Sequence, residues 1–299
     1  MRYGVIDIGS NTIRAVAYQI ENRRATKMED KLIRSHILDE TENEMLTDSG
    51  IRRLVVVLNK LLCLLKNADC EKISCFSTSP LRKIKNLDVV LESVYDTTGI
   101  RIDVLSGAQE AEYDFIALRT HVPEHCGIGL DLGGGSCQLL QFEQSRLLFS
   151  KSFDIGSLFL KKKLVSGLLP TPEERKRIDF YLRNVLSDVH NSFGARYLYA
   201  MGGTAKAALS LYQTLSNNKQ RDTFLSVAQL ERLSALGDRN PEDVYRRLGE
   251  ILKNRADTII PGITILLSIC NLLGTEGVYV LQCGVRDGYL VKMYEKFQK

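Results

Sequence analysis

The sequence lacks the paired cysteines of a disulfide-rich or zinc-binding protein. Its seven cysteines contain no Cys-x-x-Cys pair, and their odd number is typical of free thiols in a reducing compartment. It also has little excess charge, because 40 Lys and Arg stand against 36 Asp and Glu, which gives a formal net charge of +4. This balance is far from that of a nucleic-acid-binding protein. We therefore expect a cytoplasmic protein that does not bind nucleic acid.

Long hydrophobic runs and the common nucleotide motifs are missing as well. The most apolar stretch, residues 259–274, is interrupted by proline, threonine, serine and asparagine, which favours a buried helix over a membrane span. The N-terminus enters a strand pattern at once, without the apolar segment of a signal peptide. No glycine precedes a lysine, which excludes the P-loop, and Leu132 stands where a dinucleotide-binding motif needs its third glycine. We expect neither a membrane protein nor a Rossmann site.

What the sequence does contain is an alternation of strand and helix patterns over 299 residues, a length that suits two domains. Residues 3–9 and 12–20 predict a β-hairpin, and apolar residues at helical spacing predict a helix over 49–68. Ser79 and Pro80 are typical of a helix N-cap and first turn. Such alternation predicts an α/β fold, with domains over 1–121 and 122–299.

The sequence repeats itself at an offset of 124 residues. With this shift Asp131-Leu132-Gly133 falls on Asp7-Ile8-Gly9, and Lys206 falls on Arg82. In both Asp-x-Gly segments an apolar strand pattern contains an acid near its end and is followed by a turn of small residues. Two matches at one offset predict an internal duplication.

The repeated stretch has the chemistry of a metal–phosphate clamp. Glycines let backbone N–H groups approach an anion, and helix N-termini add a positive dipole end. Asp7 and Asp131 are then predicted to hold Mg²⁺ between the two halves, because this hard cation prefers oxygen ligands. A tight turn with a solvated acid is the alternative for a single copy, and the second copy favours the clamp.

Seven segments of the chain follow one another in a recognisable order. They are DIGSNTIRAVAY (7–18), STSPLRKIKN (77–86), SGAQEAEYDF (106–115), DLGGGSCQL (131–139), GGTAKAALSL (202–211), RADTIIPG (255–262) and GVRDGYL (284–290). Together they resemble the exopolyphosphatase and guanosine pentaphosphate phosphatase family of the sugar kinase, Hsp70 and actin superfamily. The resemblance implies two duplicated RNase H-like (actin-like ATPase) domains around a central cleft, with the helix from about residue 288 packed on the first domain. Pairing of protomers into a homodimer is a further family expectation.

The resemblance also implies residue roles. Glu110 matches the family's catalytic glutamate, which would deprotonate a water that attacks the terminal phosphorus. An acid that only complements the helix dipole is the alternative. Lys206 would face the anion only from the first turn of its helix, and otherwise it is an exposed helix lysine. The implied phosphate-binding residues are Gly9, Ser10, Asn11, Thr12, Arg82, Gly133, Gly134, Gly135, Ser136, Gly202, Gly203, Thr204 and Lys206.

The chain departs from the family pattern at two acids. Gln109 replaces the first glutamate of the Glu-Glu-Ala motif, and Gln138 replaces the glutamate that follows Ser-Thr. Glutamine keeps the shape of glutamate but loses its charge, so it cannot act as a base or as a strong metal ligand. The sequence therefore suggests a slow or specialised enzyme, in which a glutamate restored at position 138 should raise turnover.

Three functions remain open at this point. The first is a Mg²⁺-dependent exopolyphosphatase that removes terminal phosphates from inorganic polyphosphate. The second uses the same site to remove the terminal phosphate of guanosine pentaphosphate, and no side chain decides for or against guanine. The third is a catalytically weakened sensor that binds polyphosphate or an alarmone, which Gln109 and Gln138 suggest.

Overall fold

The computed structural model of the chain describes residues 1–21, 24–34, 37–124, 126–144, 146–191, 194–216 and 222–298. His125, at the predicted domain boundary, and Lys299, at the end of the predicted C-terminal helix, lie outside these residues. Contacts between α-carbons divide the chain into two compact units, Met1–Gly107 and Ala108–Lys299. No helix in the described ranges is long and apolar enough to cross a membrane.

The first unit begins with a β-meander and continues as alternating helices and strands. Its elements are β1 (Arg2–Ile8), β2 (Thr12–Glu21), β3 (Arg24–Arg34), β4 (Thr41–Glu42), β5 (Met45–Leu46), α1 (Asp48–Asn67), β6 (Lys72–Ser77), α2 (Ser79–Arg82), α3 (Leu87–Thr98) and β7 (Ile102–Val104). Five of the strands form one sheet in the order β3-β2-β1-β6-β7, in which β1, β6 and β7 run parallel. Their carboxyl ends therefore meet at one edge of the sheet.

Helix α1 covers this sheet because its sequence is amphipathic and capped. The Thr47 hydroxyl accepts a hydrogen bond from the Gly50 N–H at the helix start. One face of the helix buries apolar residues against the hairpin and α3. The core of the unit contains Ile6, Ile8, Ile13, Leu54, Leu58, Leu61, Leu65, Val90 and Val94.

The second unit repeats the meander and the parallel strands, with more helices. Its elements are α4 (Gly107–Leu118), β8 (Cys126–Leu132), β9 (Cys137–Glu143), β10 (Arg146–Phe153), α5 (Ser157–Leu164), α6 (Pro172–Val185), β11 (Leu198–Met201), α7 (Gly202–Leu215), β12 (Phe224–Ser226), α8 (Val227–Ser234), α9 (Pro241–Leu252), α10 (Ile259–Leu273), β13 (Gly277–Val280) and α11 (Val285–Gln298). The sheet order is β10-β9-β8-β11-β13-β12. Helix α10 is buried along most of its length, which confirms the predicted buried helix.

The two sheets confirm the predicted duplication. In each unit the first strand of an antiparallel three-stranded meander pairs in parallel with a later strand, and a further strand pairs in parallel with that one. Asp7 faces Arg14 across the first hairpin, and Asp131 faces Gln138 across the second, so the registers agree at the 124-residue offset. Strand β12 pairs antiparallel with β13 at the far edge of the second sheet.

Helices α4 and α11 contact each other within the second unit. The ring of Tyr113 meets that of Tyr289 edge to face at 5.7 Å, and the Lys292 ammonium lies 2.9 Å from the Glu112 carboxylate. The sequence predicts a domain boundary at residue 121, after α4, whereas the first compact unit ends at Gly107, the first residue of this helix. The division into functional domains over 1–121 and 122–299 stays a prediction.

Candidate active site

The first glycine turn lies at the carboxyl end of β1. Asp7 is the next-to-last residue of this strand, and the Gly9 N–H donates to the Thr12 carbonyl over 3.0 Å to close the turn. A Cβ on Gly9 would lie only 3.1 Å from that carbonyl oxygen, which explains the glycine. The two residues at the tip, Ser10 and Asn11, are buried. The turn therefore places Asp7 and four predicted phosphate-binding residues together.

Arg82 is held at the same edge of the first sheet. It ends the short helix α2, and its Nη1 donates to the Leu105 carbonyl, just beyond β7, over 2.7 Å. The N-cap of α2 is Thr78 rather than the predicted Ser79, because the chain leaves β6 one residue earlier. Asn86, from the same motif, accepts a hydrogen bond from the Leu46 N–H and donates one to the Leu46 carbonyl. Its side chain therefore has a structural role, holding the start of α3 to β5.

The second glycine turn repeats the geometry of the first. The Gly133 N–H donates to the Ser136 carbonyl over 3.0 Å. The carbonyls of Gly133 and Gly134 accept from the first N–H groups of α5, those of Ser157 and Leu158, over 3.1 and 2.9 Å. Because N–H and C=O point in opposite directions in a trans peptide, the N–H groups of Gly134 and Gly135 point away from α5. The turn is thus anchored through its carbonyls.

Three buried carboxylates lie near this second turn. Glu110 and Asp114 are one helical turn apart on the same face of α4 and are 5% and 0% exposed, while Asp131 is 8% exposed. Burial raises the pKa of Asp131, and a hydrogen bond with Asp114 and the charges of Lys206 and Arg255 only partly offset this effect. The Asp131 carboxyl therefore has both an acidic partner and basic neighbours.

The same three acids influence the pKa of a buried cysteine, Cys137. Cys137 follows Ser136 and is fully buried. Burial raises the pKa of its thiol well above the ordinary value, and the negative charges of Asp131, Asp114 and Glu110 raise it further, in that order. All three carboxylates therefore act on one position beside the glycine turn. Gln109, by contrast, is exposed, so its lost charge lies on the solvent side of α4.

Helix α7 begins against Asp131. Gly202 has a φ of +84°, and a Cβ at this position would collide with the Asp131 carboxylate and lie 2.9 Å from the Leu132 carbonyl oxygen. Gly203 similarly leaves room for the guanidinium of Arg255. Gly202 is therefore required by its positive φ and by close approach, which places the α7 N-terminus beside Asp131. Thr204 is 1% exposed, and its hydroxyl donates to the Ser157 hydroxyl.

Lys206 is not an exposed helix lysine. It is the fifth residue of α7, and its Nζ donates to the Cys283 carbonyl over 3.1 Å. Burial lowers its pKa, and the charges of Asp287 and Asp131 act in the opposite direction. The ammonium thus joins the start of α11 to the acidic cluster. Phosphate binding by Lys206 and by Thr204 stays a prediction.

The residues present fit a magnesium ion bound with few protein ligands. Among the described residues, no three His, Cys, Asp or Glu side chains form a group that could hold a metal by themselves. Mg²⁺ usually keeps several waters and takes one or two carboxylates together with substrate phosphates. Asp131 offers such a carboxylate in the second unit, with a second buried acid, Asp114, close enough to influence it. Asp7 holds the equivalent position in the first.

Two residues near the site had no role in the sequence analysis. Arg255 belongs to the Arg-Ala-Asp segment, which is recognisable by its position in the order of motifs. That order does not show that the Arg255 side chain lies beside Gly203. Asp114 stands in the run Tyr-Asp-Phe-Ile, an acid among apolar residues, and only its spacing of four from Glu110 indicated a shared helix face.

The comparison with known proteins agrees with this geometry. The model of the Ppx/GppA phosphatase family matches residues 18–297. The chain belongs to the Ppx/GppA phosphatase family. This family consists of phosphoanhydride hydrolases, so the predicted enzyme class is confirmed. Exopolyphosphatase 1 of Mycobacterium leprae is 26% identical over 314 residues, which cover 98% of this chain and 89% of that protein.

Solved structures of Ppx/GppA proteins share the fold. A crystal structure of an exopolyphosphatase from Cytophaga hutchinsonii matches with a TM-score of 0.87 and 22% identity, covering 99% of this chain and 98% of its own. The Aquifex aeolicus family member matches with a TM-score of 0.83 and 24% identity, covering 100% and 99%. The predicted fold of two duplicated actin-like domains is thereby confirmed.

Proposed function

We propose that this Ppx/GppA protein is an exopolyphosphatase that hydrolyses the terminal phosphoanhydride of inorganic polyphosphate with Mg²⁺ bound. The observation that carries the proposal is the buried cluster of Glu110, Asp114 and Asp131 beside the second glycine turn. A relative named exopolyphosphatase 1, aligned over nearly the whole chain, supports the choice of substrate.

Glu110 is the general base in this proposal. Its carboxylate is 5% exposed on the first turn of α4, where it accepts the proton of the water that attacks the terminal phosphorus. The bond from the terminal phosphorus to the bridging oxygen then breaks, and the shortened chain leaves with that oxygen. Asp114, on the same helix face, is fully buried and influences the Asp131 carboxyl, so it acts on the cluster rather than on the water.

Each unit has hydrogen-bond donors suited to phosphate oxygens. Phosphoryl transfer depends mainly on positioning and on neutralising charge. The Gly134 and Gly135 N–H groups and the Ser136 hydroxyl serve this purpose in the second unit. Arg82, oriented by the Leu105 carbonyl, offers a planar fork in the first. Asp7 and Asp131 would hold the metal, and Mg²⁺, when bound, supplies positive charge to the phosphate oxygens.

Other parts of the proposal concern the cell and the assembly. The seven cysteines, all within the described residues, are free thiols, which supports a cytoplasmic location. Pairing into a homodimer stays a family expectation, to be measured by light scattering.

The proposal is tested by phosphate release from long-chain polyphosphate and, in parallel, from guanosine pentaphosphate, each with Mg²⁺ and with a chelator. We expect release from polyphosphate that needs Mg²⁺. Glu110→Gln should lower the rate by about 10²–10⁴-fold, the usual contribution of a general base, while substrate binding persists. Glu112→Gln is the matched control, because Glu112 is exposed two residues away and paired with Lys292.

Each other outcome selects an alternative. Release from guanosine pentaphosphate alone would make the protein a guanosine pentaphosphate phosphohydrolase. Tight binding of polyphosphate without any release would make it a sensor. Full activity in Glu110→Gln would show that another residue is the base.

A further inference from the structure

Gln138 lies at the centre of a polar row directly behind the second glycine turn. It is 1% exposed on β9, opposite Asp131 on β8 and opposite Ser152 on β10. Residues that face each other across neighbouring strands project from the same side of the sheet. Asp131, Gln138 and Ser152 therefore share one face, and Ser136, two residues before Gln138, lies next to them.

The Gln138 amide uses both of its N–H groups on serine oxygens. Its Nε2 donates to Ser136 Oγ over 3.2 Å and to Ser152 Oγ over 2.9 Å. A side-chain amide nitrogen carries two hydrogens, so these two bonds exhaust it. A serine oxygen that accepts such a bond keeps its own proton for another acceptor. The Ser136 hydroxyl is thereby set to donate away from Gln138.

Ser136 belongs to the glycine turn that the proposed function assigns to phosphate binding. Its backbone carbonyl closes the Gly133 turn, and the Gly134 and Gly135 N–H groups of that turn point away from α5. We propose that Gln138 is a positioning residue that holds the Ser136 hydroxyl as a hydrogen-bond donor to a substrate phosphate oxygen. This inference rests on the proposed function, since it assigns a role within the same site.

Glutamate at position 138 would reverse this arrangement. An ionised carboxylate only accepts hydrogen bonds, so both serine hydroxyls would turn their protons toward it. It would also add a negative charge directly across from Asp131. The hydrogen bonds thus predict weaker phosphate binding in Gln138→Glu, the opposite of the gain in turnover that the sequence alone suggests.

The test measures the dissociation constant of inorganic phosphate by calorimetry with Mg²⁺ present, and KM and kcat for long-chain polyphosphate. Gln138→Glu and Ser136→Ala should each weaken phosphate binding and raise KM about tenfold, which corresponds to about 1.4 kcal/mol. The value of kcat should change much less. Gln138→Met, which keeps the shape without a donor, should weaken binding about threefold in the parent protein and not at all in a Ser136→Ala background.

Gln141→Glu is the matched control. Gln141 is also a buried glutamine on β9, but it lies three residues further on the opposite face and donates to the His190 carbonyl. The Gln141→Glu substitution makes the same chemical change in the same strand, at a residue that does not contact Ser136. We expect its phosphate affinity to equal that of the parent protein, with unfolding curves recorded for every variant.

Two results would overturn the inference alone. One is an equal loss from Gln138→Met with and without the Ser136 hydroxyl, which would mean that the two residues act independently. The other is tighter phosphate binding or faster turnover in Gln138→Glu, which would instead support the slow-enzyme hypothesis. A parent protein that neither binds phosphate nor hydrolyses polyphosphate would overturn the proposed function, and this inference with it.

Discussion

The turn after β1 and the turn after β8 have the same backbone but different neighbours. Both are closed by a glycine N–H that donates over 3.0 Å to a carbonyl three residues on, and both follow an acid at the same register position. Opposite Asp7 stands Arg14, which is ion-paired with Asp30 at the partly exposed surface. Opposite Asp131 stands the buried, uncharged Gln138.

The helices that follow differ in the same way. Helix α2 has four residues and ends in Arg82, whereas α7 has fourteen and starts with two glycines packed on Asp131 and Arg255. The duplicated backbone therefore gives both units the same glycine turn after an acid, and the second unit places further buried acids beside it. From this difference we expect the first unit to bind phosphate chiefly through Arg82 and the second to perform the chemistry.

Among variants that compare the two turns, the largest effect should come from removing the two equivalent acids. Asp131→Asn leaves the charges of Lys206 and Arg255 near a neutral amide and removes a predicted metal ligand, so we expect about a 100-fold loss of phosphate release. Asp7→Asn should raise the Mg²⁺ concentration for half-maximal activity about tenfold. Titration of activity and of thermal stability with Mg²⁺ measures both effects.

Asp179→Asn serves as the control for these variants, because Asp179 is a partly exposed acid on α6 that pairs with Arg183. It should leave the magnesium titration unchanged. Unaltered Mg²⁺ dependence in Asp7→Asn would restrict the metal site to the second unit and would break the symmetry between the two turns.

The second effect concerns the glycine at the start of α7. Gly202→Ala would force a φ of +84° on a residue with a Cβ, at about 1–2 kcal/mol, and drive that Cβ into the Asp131 carboxylate. We expect a loss of at least about 2 kcal/mol in the free energy of unfolding, measured in urea. Gly249→Ala is the matched control, because a Cβ on this α9 residue meets nothing within 4 Å and should stabilise the protein by about 0.5–1 kcal/mol. Equal stability of the two variants would show that α7 does not need its glycine.

Sequence reasoning predicted the elements whose signal is local. The β1–β2 hairpin, helix α1 and the offset of 124 residues were all visible, because apolar periodicity and repeated motifs are properties of neighbouring residues. Strand β3 was missed because its first nine residues are all exposed and show no alternation. The three-residue strand β12 was too short for any pattern.

The site was predictable as far as its motifs reach. The two glycine turns, and the acids Asp7 and Asp131 that precede them, follow from the residue order. The structure places them at the carboxyl ends of β1 and β8. The proximity of Asp114 to Asp131, and the place of Arg255 beside Gly203, arise when separate elements pack together. The hydrogen bonds of Gln138 also depend on packing. One of its two serine partners, Ser136, is in the preceding turn, and the other, Ser152, is on the neighbouring strand β10.

The smallest expected effect comes from the ion pair of Arg14 and Asp30. Arg14 holds the register position in the first unit that Gln138 holds in the second. Arg14 donates through Nε and Nη2 to the two carboxylate oxygens of Asp30, over 2.7 and 2.5 Å. Burial raises the pKa of Asp30, but the hydrogen bonds and charges of Arg14 and Lys27 outweigh it and lower the pKa to about 2. Because both side chains are partly exposed, we expect Arg14→Met to cost only about 1 kcal/mol of unfolding free energy at pH 7.

The pH dependence of this cost has a definite sign. The folded-state pKa of about 2 is below the value of about 3.9 in an unfolded chain, so the ion pair stabilises the fold fully above about pH 4 and loses its effect as pH falls toward 2. Urea unfolding of the parent protein and Arg14→Met should therefore differ at pH 7 and converge near pH 2. A difference that stays constant over this range would assign the cost to packing of the arginine stem. In that case the first hairpin, like the second, would be held at this register position without a charge.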